Sequence, residues 1–426
     1  MWVVYEVLLF IGLLLYMPKA VWRKRLPHRG WTMRLGRYPD SLRARMTGPR
    51  PVWIHAVSVG ETIAAKPLVR AMHAAYPDMP LVLSTVTPAG FAVASKLVGE
   101  RGVAVFAPLD FRFTVSRAFE TIRPRLLVLV ESELWPNLIG LAAQQGIPVV
   151  VVNGRVSERA LRRALKVRRW LAPTLALVTR FLMQTELDAE RIIRMGAPAE
   201  RVSVVGSLKW DASIASRPSA EELRALAGRL GLGEDRPVVV AGSTHRGEEE
   251  HVLAAFQRIR AWRNPVRLIL APRQLERIAE VEELAKRRGI PTHRMSAIRS
   301  PEQPWDVAIV DTMGQLSAYY GLATAVFVGG SLIPHGGQNP IEPAVLGKPV
   351  IFGPSMENFT EIVQQLLTHQ ACYQLRGPAE LTQTLQGLLA NPEEARVMGA
   401  RAQALVERLG GTSQKTLSAL NALLQG

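Results

Sequence analysis

From residue 51 onward the chain repeats one pattern: a short, unbroken apolar run, then a longer stretch with apolar residues at helical spacing. In the first half the runs are PVWIHAVS (51–58), LVLSTVT (81–87), VAVFAP (103–108), LLVLVE (126–131), PVVVVN (148–153) and FLMQT (181–185). A second series holds VVVAGS (238–243), RLILAP (267–272), VAIVD (307–311), TAVFVGG (324–330) and PVIFGP (349–354). Apolar runs without polar alternation predict strands buried on both faces of a parallel sheet. Stretches such as TIAAKPLVRAMHAAYP and EEHVLAAFQRIRAW predict the helices between them, so the fold class is α/β with doubly wound sheets. The segment VGSLKWDASIASRPSA (205–220) separates the two series, lacks clean periodicity and predicts an interdomain linker. Two similar α/β halves describe many nucleotide-sugar glycosyltransferases. They equally describe a two-domain dehydrogenase or an epimerase.

The N-terminus follows another rule. MWVVYEVLLFIGLLLYM carries one charge, Glu6, and a basic run follows: Lys19, Arg23, Lys24, Arg25, Arg29, Arg34 and Arg37. A secretory signal has its positive charge before the apolar run and a small-residue cleavage site after it. This order is reversed. The stretch is a little short of the ~20 residues of a confident span. Two readings stand: a single anchor with its basic flank on the cytoplasmic side, or a helix lying in the interface on anionic lipid. A buried core helix is the third. Trp2, Tyr5, Tyr16, Trp22 and Trp31 flank the run as interfacial aromatics do, which favours the membrane.

Charge and missing motifs narrow the chemistry. Lys plus Arg is 52 and Asp plus Glu is 36, a balance of +16 that suits an anionic partner. The basic residues are not interleaved with aromatics along one stretch, which argues against nucleic acid. One cysteine, Cys372, excludes an internal disulfide and a multi-cysteine zinc site. The chain has no G-x-x-x-x-G-K-[ST], no G-x-G-x-x-G after a strand and no H-E-x-x-H. It also lacks a D-x-D pair to hold a divalent ion against a nucleotide sugar, so metal-independent transfer is expected.

Polar clusters gather where apolar runs stop, and doubly wound sheets bind ligands beyond the carboxyl ends of their strands. In HAVSVGETIAA, Glu61 opens a helix. It is placed to act as a general base, and its spacing to Ser58 equally makes a capping box. The helix dipole would lower its pKa, and burial would raise it. In ESELWPN, Glu131, Glu133 and Asn137 surround Trp135; a carboxylate there can stabilise oxocarbenium-like charge. In NGRVSER, Asn153, Arg155, Ser157 and Arg159 meet where a strand gives way to a helix. Lys209, in VGSLKWD, lies between the halves. The second half offers AGSTHRGEEE, whose turn amides suit an anion, then Arg273 in APRQLER and Thr312, Met313 and Gly314 in VDTMGQL. Its densest cluster is FVGGSLIPHGGQNPIEPA, where Glu342 opens a helix and is placed to accept both hydroxyls of a ribose.

Together SVGE, ESELWPN, NGRVSER, VGSLKWD, GSTHRGEEE, APRQLER, DTMGQL and GGQNPIEPA resemble the 3-deoxy-D-manno-octulosonic acid (Kdo) transferases of lipopolysaccharide synthesis, through about residue 360. The resemblance implies a GT-B glycosyltransferase: two Rossmann-like domains facing a cleft, with an N-terminal membrane-anchor helix. The expected organisation is an anchor at 1–18, an acceptor-binding domain at 19–204, the linker at 205–220 and a CMP-Kdo-binding domain at 221–400. GT-B chains often return a last helix to the first domain, and SQKTLSALNALLQ within 401–426 is the candidate. The implied reaction moves Kdo from CMP-Kdo to the lipid A precursor (lipid IVA), with inversion, without metal or other cofactor, at the cytoplasmic side of the inner membrane beside anionic lipid. By the same resemblance Glu61 matches the proton acceptor, and Glu131 and Lys209 match residues that stabilise the transition state. Pro272, Arg273, Thr312, Met313, Gly314, Asn339, Pro340, Ile341 and Glu342 match the CMP-Kdo contacts. One departure stands out: Gln315 occupies the place of an acidic residue after DTMG. The competing readings are another nucleotide-sugar transferase of this fold and a non-catalytic sugar-nucleotide-binding protein.

Overall fold

The computed structural model describes residues 2–22, 30–233, 236–262 and 265–425, with side chains of the first helix described at 5–15. The chain divides into two compact units, Met1–Ala212 with Gly410–Gly426, and Ser213–Leu409.

The first unit is built on seven strands: β1 (Val52–His55), β2 (Leu81–Thr85), β3 (Gly102–Phe106), β4 (Leu126–Val130), β5 (Val149–Gly154), β6 (Arg180–Met183) and β7 (Val202–Val204). All pair in parallel, in the order β3-β2-β1-β4-β5-β6-β7. Successive residues of a strand point to opposite faces, and both faces are covered. Trp53, Leu127 and Leu129 pack with Phe119, Leu138 and Leu161 on one face. On the other, Ile54 and Val128 pack with Leu68, Leu420 and Leu424. The last two belong to the helix Thr412–Leu424, whose Asn421 accepts from the Tyr76 hydroxyl at 2.6 Å. Buried Asp211 accepts from the amides of Gly411 and Ser413 at the start of that helix.

The second unit repeats the plan with β8 (Val238–Thr244), β9 (Arg267–Pro272), β10 (Thr292–Arg294), β11 (Val307–Ile309), β12 (Ala325–Val328), β13 (Val350–Phe352) and β14 (Cys372–Gln374). They too are all parallel, in the order β10-β11-β9-β8-β12-β13-β14. The apolar runs of both series therefore form strands. The segment 205–220, expected as the interdomain linker, contains the helix Leu208–Ile214, and the units divide within it.

Residues Trp2–Trp22 form one helix. Tyr5 donates to Asp110 Oδ2 at 2.9 Å, and Glu6 Oε1 accepts from the Arg112 amide at 2.7 Å, which seats this end on the first unit. Beyond them Val7, Leu8, Phe10, Ile11, Leu14 and Leu15 are exposed. Among the described residues no helix is long and apolar enough to cross a membrane. Of the expected basic run, the side chains of Lys19, Arg23, Lys24, Arg25 and Arg29 lie outside the described residues. Arg34 does not belong to a lipid-facing collar: it is buried, donates to the Val86 carbonyl and lies 5.0 Å over the Phe106 ring.

Candidate functional site

In a doubly wound sheet the crevice opens where the strand order reverses, beyond the carboxyl ends of the two strands at that point. In the first unit those strands are β1 and β4, which pair from Val52↔Leu126 to His55↔Leu129. Glu61 follows β1 and Glu131 follows β4, so the topology brings together two carboxylates 70 residues apart in sequence.

Glu61 stands in the first turn of the helix Val59–Ala75. Its amide donates to Ser58 Oγ at 3.2 Å, and its carboxylate accepts from the Val57 amide and the Ser58 hydroxyl, both at 2.7 Å. The capping role is therefore real. It also holds the carboxylate in one orientation while leaving the residue half-buried. Burial raises its pKa most; the Ser58 and Val57 bonds oppose the rise, and the negative charge of Glu131 adds to it.

Glu133, also held above the usual carboxylate range by burial, accepts from Trp135 Nε1 at 2.8 Å. The Trp135 ring meets His55 edge-on at 4.5 Å. His55 is fully buried, which lowers its pKa to about 3, so the imidazole is neutral and serves as packing. Asn137 does not pair with Glu131 or Glu133. It is buried, and its side chain donates to the Asp110 carbonyl at 2.5 Å and to Glu6 Oε1 at 3.4 Å.

The NGRVSER residues separate. Asn153 is fully buried at the end of β5, and Ser157 caps the helix Glu158–Lys166, whose Arg159 is exposed. Asn153 Oδ1 accepts from the Leu208 amide at 2.9 Å, and its Nδ2 donates to Glu131 Oε1 at 3.3 Å. Lys209 is thus the second residue of a helix whose first residue is tied to β5.

In the second unit the order reverses between β8 and β12. A cavity of about 210 Å³ lies at this edge. It is lined by Pro272 and Arg273 after β9, by Thr312, Met313 and Gly314 after β11, and by Asn339 and Glu342. Asn339 donates to Glu342 Oε1 at 3.2 Å. Burial raises the Glu342 pKa, against the Asn339 bond and the Arg273 charge. Pro340 and Ile341 do not line the cavity; both are buried, and they supply backbone to the start of the short helix Ile341–Ala344. Gln315 Oε1 accepts from the Tyr319 hydroxyl at 2.8 Å, next to this edge.

Two features were missed from sequence. Ser243, at the end of β8, has left-handed backbone (φ 53°) and lines the cavity. Gly329, after β12, comes so close that a Cβ there would meet the Ser243 carbonyl oxygen at 2.5 Å. The second feature is Glu248. The AGSTHRGEEE turn is expected to suit an anion, and one of its amides, His245, is taken internally: the fully buried Glu248 carboxylate accepts it at 2.9 Å, together with the Gly330 (2.6 Å), Ser331 (2.9 Å) and Leu332 (2.9 Å) amides of the loop after β12. Positive φ at Ser243 and an acid within E-E-E leave no mark that composition or periodicity detects.

A family model described as 3-deoxy-D-manno-octulosonic-acid transferase (kdotransferase) matches residues 29–212. A 3-deoxy-D-manno-octulosonic acid transferase of Haemophilus influenzae is 33% identical over 420 residues, covering 98% of this chain and 93% of that one. One of Bordetella pertussis is 37% identical over 386 residues, 87% and 86% of the two chains. Among solved structures, the UDP-GlcNAc 2-epimerase of Neisseria meningitidis covers 87% of this chain and 100% of its own, at 14% identity and a TM-score of 0.61. A glycosyltransferase of Rickettsia africae gives a TM-score of 0.60 at 10% identity, over 89% of this chain and 100% of its own. At such identities these likenesses show the fold alone.

Proposed function

The chain belongs to the 3-deoxy-D-manno-octulosonic acid transferase family, and we propose that it transfers Kdo from CMP-Kdo to the lipid A precursor, lipid IVA, with inversion and without metal. The observation that carries the reading is the carboxylate pair at the crevice of the first unit, with Glu61 oriented by its cap and raised in pKa by burial. A general base works best when its pKa lies near the operating pH, and burial moves Glu61 in that direction.

In this mechanism an acceptor hydroxyl attacks the anomeric carbon of Kdo as Glu61 takes its proton. The bond from that carbon to the CMP phosphate oxygen breaks, and CMP leaves with the electron pair. Glu131 and Lys209 stabilise the charge that develops on the sugar and leaving group. Arg273 faces the single phosphate, and Glu342 accepts the ribose hydroxyls. One phosphate gathers less charge than two, and cationic side chains neutralise it without a divalent ion.

The test is mass analysis of the lipid product after incubating purified protein with CMP-Kdo and lipid IVA. Whole added Kdo units are expected, in equal yield with excess EDTA. An acceptor of unchanged mass overturns the reading, and loss in EDTA that Mg²⁺ restores overturns metal independence.

The same proposal places the enzyme at the cytoplasmic face of the inner membrane. The exposed apolar side chains between Val7 and Leu15 support an interfacial seat for the first helix. Holding the enzyme at the bilayer raises the effective concentration of a lipid acceptor without new contacts to the sugar. Deleting residues 1–17 is expected to weaken membrane association while CMP-Kdo affinity is kept. Changing Arg23, Lys24 and Arg25 to Gln is expected to make the residual binding less salt-sensitive. If the deletion variant pellets with membranes as fully as the intact chain at moderate salt, the helix is not the anchor.

A further inference from the structure

Adjacent strands β4 and β5 carry left-handed backbone near their carboxyl ends at residues that are not glycine: Glu131, just after β4, at φ 63° and Asn153, next to last in β5, at φ 54°. Such conformations are strained and persist only where the surroundings over-determine them. At Asn153 the surroundings do. Its side chain spends both functions, accepting from the Leu208 amide through Oδ1 and donating to Glu131 through Nδ2. Its own carbonyl accepts from Gln184 Nε2 at 2.9 Å. Leu208 N–H can only donate, so the amide oxygen must face it and the NH₂ must face the Glu131 carboxylate.

We propose that Asn153 is a positioning residue that sets the Glu131 carboxylate and the helix bearing Lys209 at a fixed separation for the transfer step. The inference rests on the transferase reading, which gives Glu131 and Lys209 their roles. The chemistry of the position selects asparagine. Asn adopts left-handed backbone more readily than other side chains with Cβ, and its short arm carries a donor and an acceptor. Aspartate offers two acceptors and would set a carboxylate against Glu131. Glycine suits the backbone and carries no arm.

Two variants test this, Asn153→Asp and Asn153→Gly, with Glu61→Gln measured in parallel. Turnover, CMP affinity by calorimetry, and melting temperature are read for each, and the ratio of turnover to wild type is followed across pH. Misplacement of a reacting group by about 1 Å can cost 10²-fold. Asn153→Asp is therefore expected to lose roughly 10²-fold in turnover at neutral pH, with CMP affinity unchanged. Its deficit should shrink as pH falls, because two facing carboxyls share a proton and the O–H restores the lost donor. Asn153→Gly should show a similar deficit at every pH. Wild-type turnover in Asn153→Gly overturns the proposal. So does a deficit in Asn153→Asp that ignores pH, or one matched by an equal loss of CMP affinity. If Asn153→Asp does not fold, Asn153→Gly decides alone. Full turnover in Glu61→Gln signals instead that the transferase reading of this site has failed.

Discussion

Glu61→Gln is expected to lower turnover by roughly 10²–10⁴, the usual contribution of a general base, with CMP-Kdo affinity kept within a few-fold. Gln is nearly isosteric, keeps one acceptor for the amide and hydroxyl that hold the carboxylate, and cannot take a proton. The pH dependence follows from the raised pKa. The base works when ionised, so activity rises with pH through an acidic limb displaced above the ordinary carboxylate range. That limb should disappear in the variant. Stability has the opposite sign. A carboxyl whose folded pKa lies above its unfolded one contributes stability in full below the unfolded pKa and loses it as pH rises through the folded pKa. Once ionised, Glu61 therefore works against the fold, and the melting temperature of Glu61→Gln is not expected to drop. Near-normal turnover in a well-folded variant would remove Glu61 from the mechanism.

The second large effect is expected at Glu248, which touches no proposed substrate. Four backbone amides from two loops point at its carboxylate in a fully buried place. Glu248→Ala would leave all four without an acceptor. Each buried orphan costs about 1–3 kcal/mol, so a loss of roughly 4 kcal/mol or more is expected, a size reached only by a few mechanisms. For a unit of this size that is a fall in melting temperature of roughly 10 °C. The loop that leads to Gln338 and Asn339 would loosen with it, so CMP affinity should fall too. Glu248→Gln keeps one oxygen and should fall between. The carboxylate shares its amides evenly, His245 and Gly330 on Oε2, Ser331 and Leu332 on Oε1. Gln can therefore serve about half of them. Differential scanning calorimetry with a CMP titration decides the matter: an alanine variant melting with the wild type would show that the amides find other partners.

The interior strands were legible because a strand buried on both faces must be apolar throughout, and runs such as LLVLV and VVVV have no other stable place in an α/β chain. The strands that escaped notice, Val202–Val204, Thr292–Arg294 and Cys372–Gln374, lie at sheet edges, where three residues suffice and one face of the pairing is water. Motifs marked Glu61, Glu131 and the lining of the second unit's cavity, since polar residues stood where apolar runs stopped, and Lys209 by its place between the halves. Their mutual arrangement was another matter. Glu61 and Glu131 meet because β1 lies beside β4 rather than following it in the sheet, a choice made by crossover packing and not by either segment. Left-handed backbone at Glu131, Asn153 and Ser243 has no local signal in the Glu and Ser cases, where the side chain itself does not favour it. Glu248 reads as one of three ordinary acids at a helix start. It becomes the anion at the centre of a nest only when the loop after β12 folds over it, and burial then turns a routine charge into one that four amides depend on.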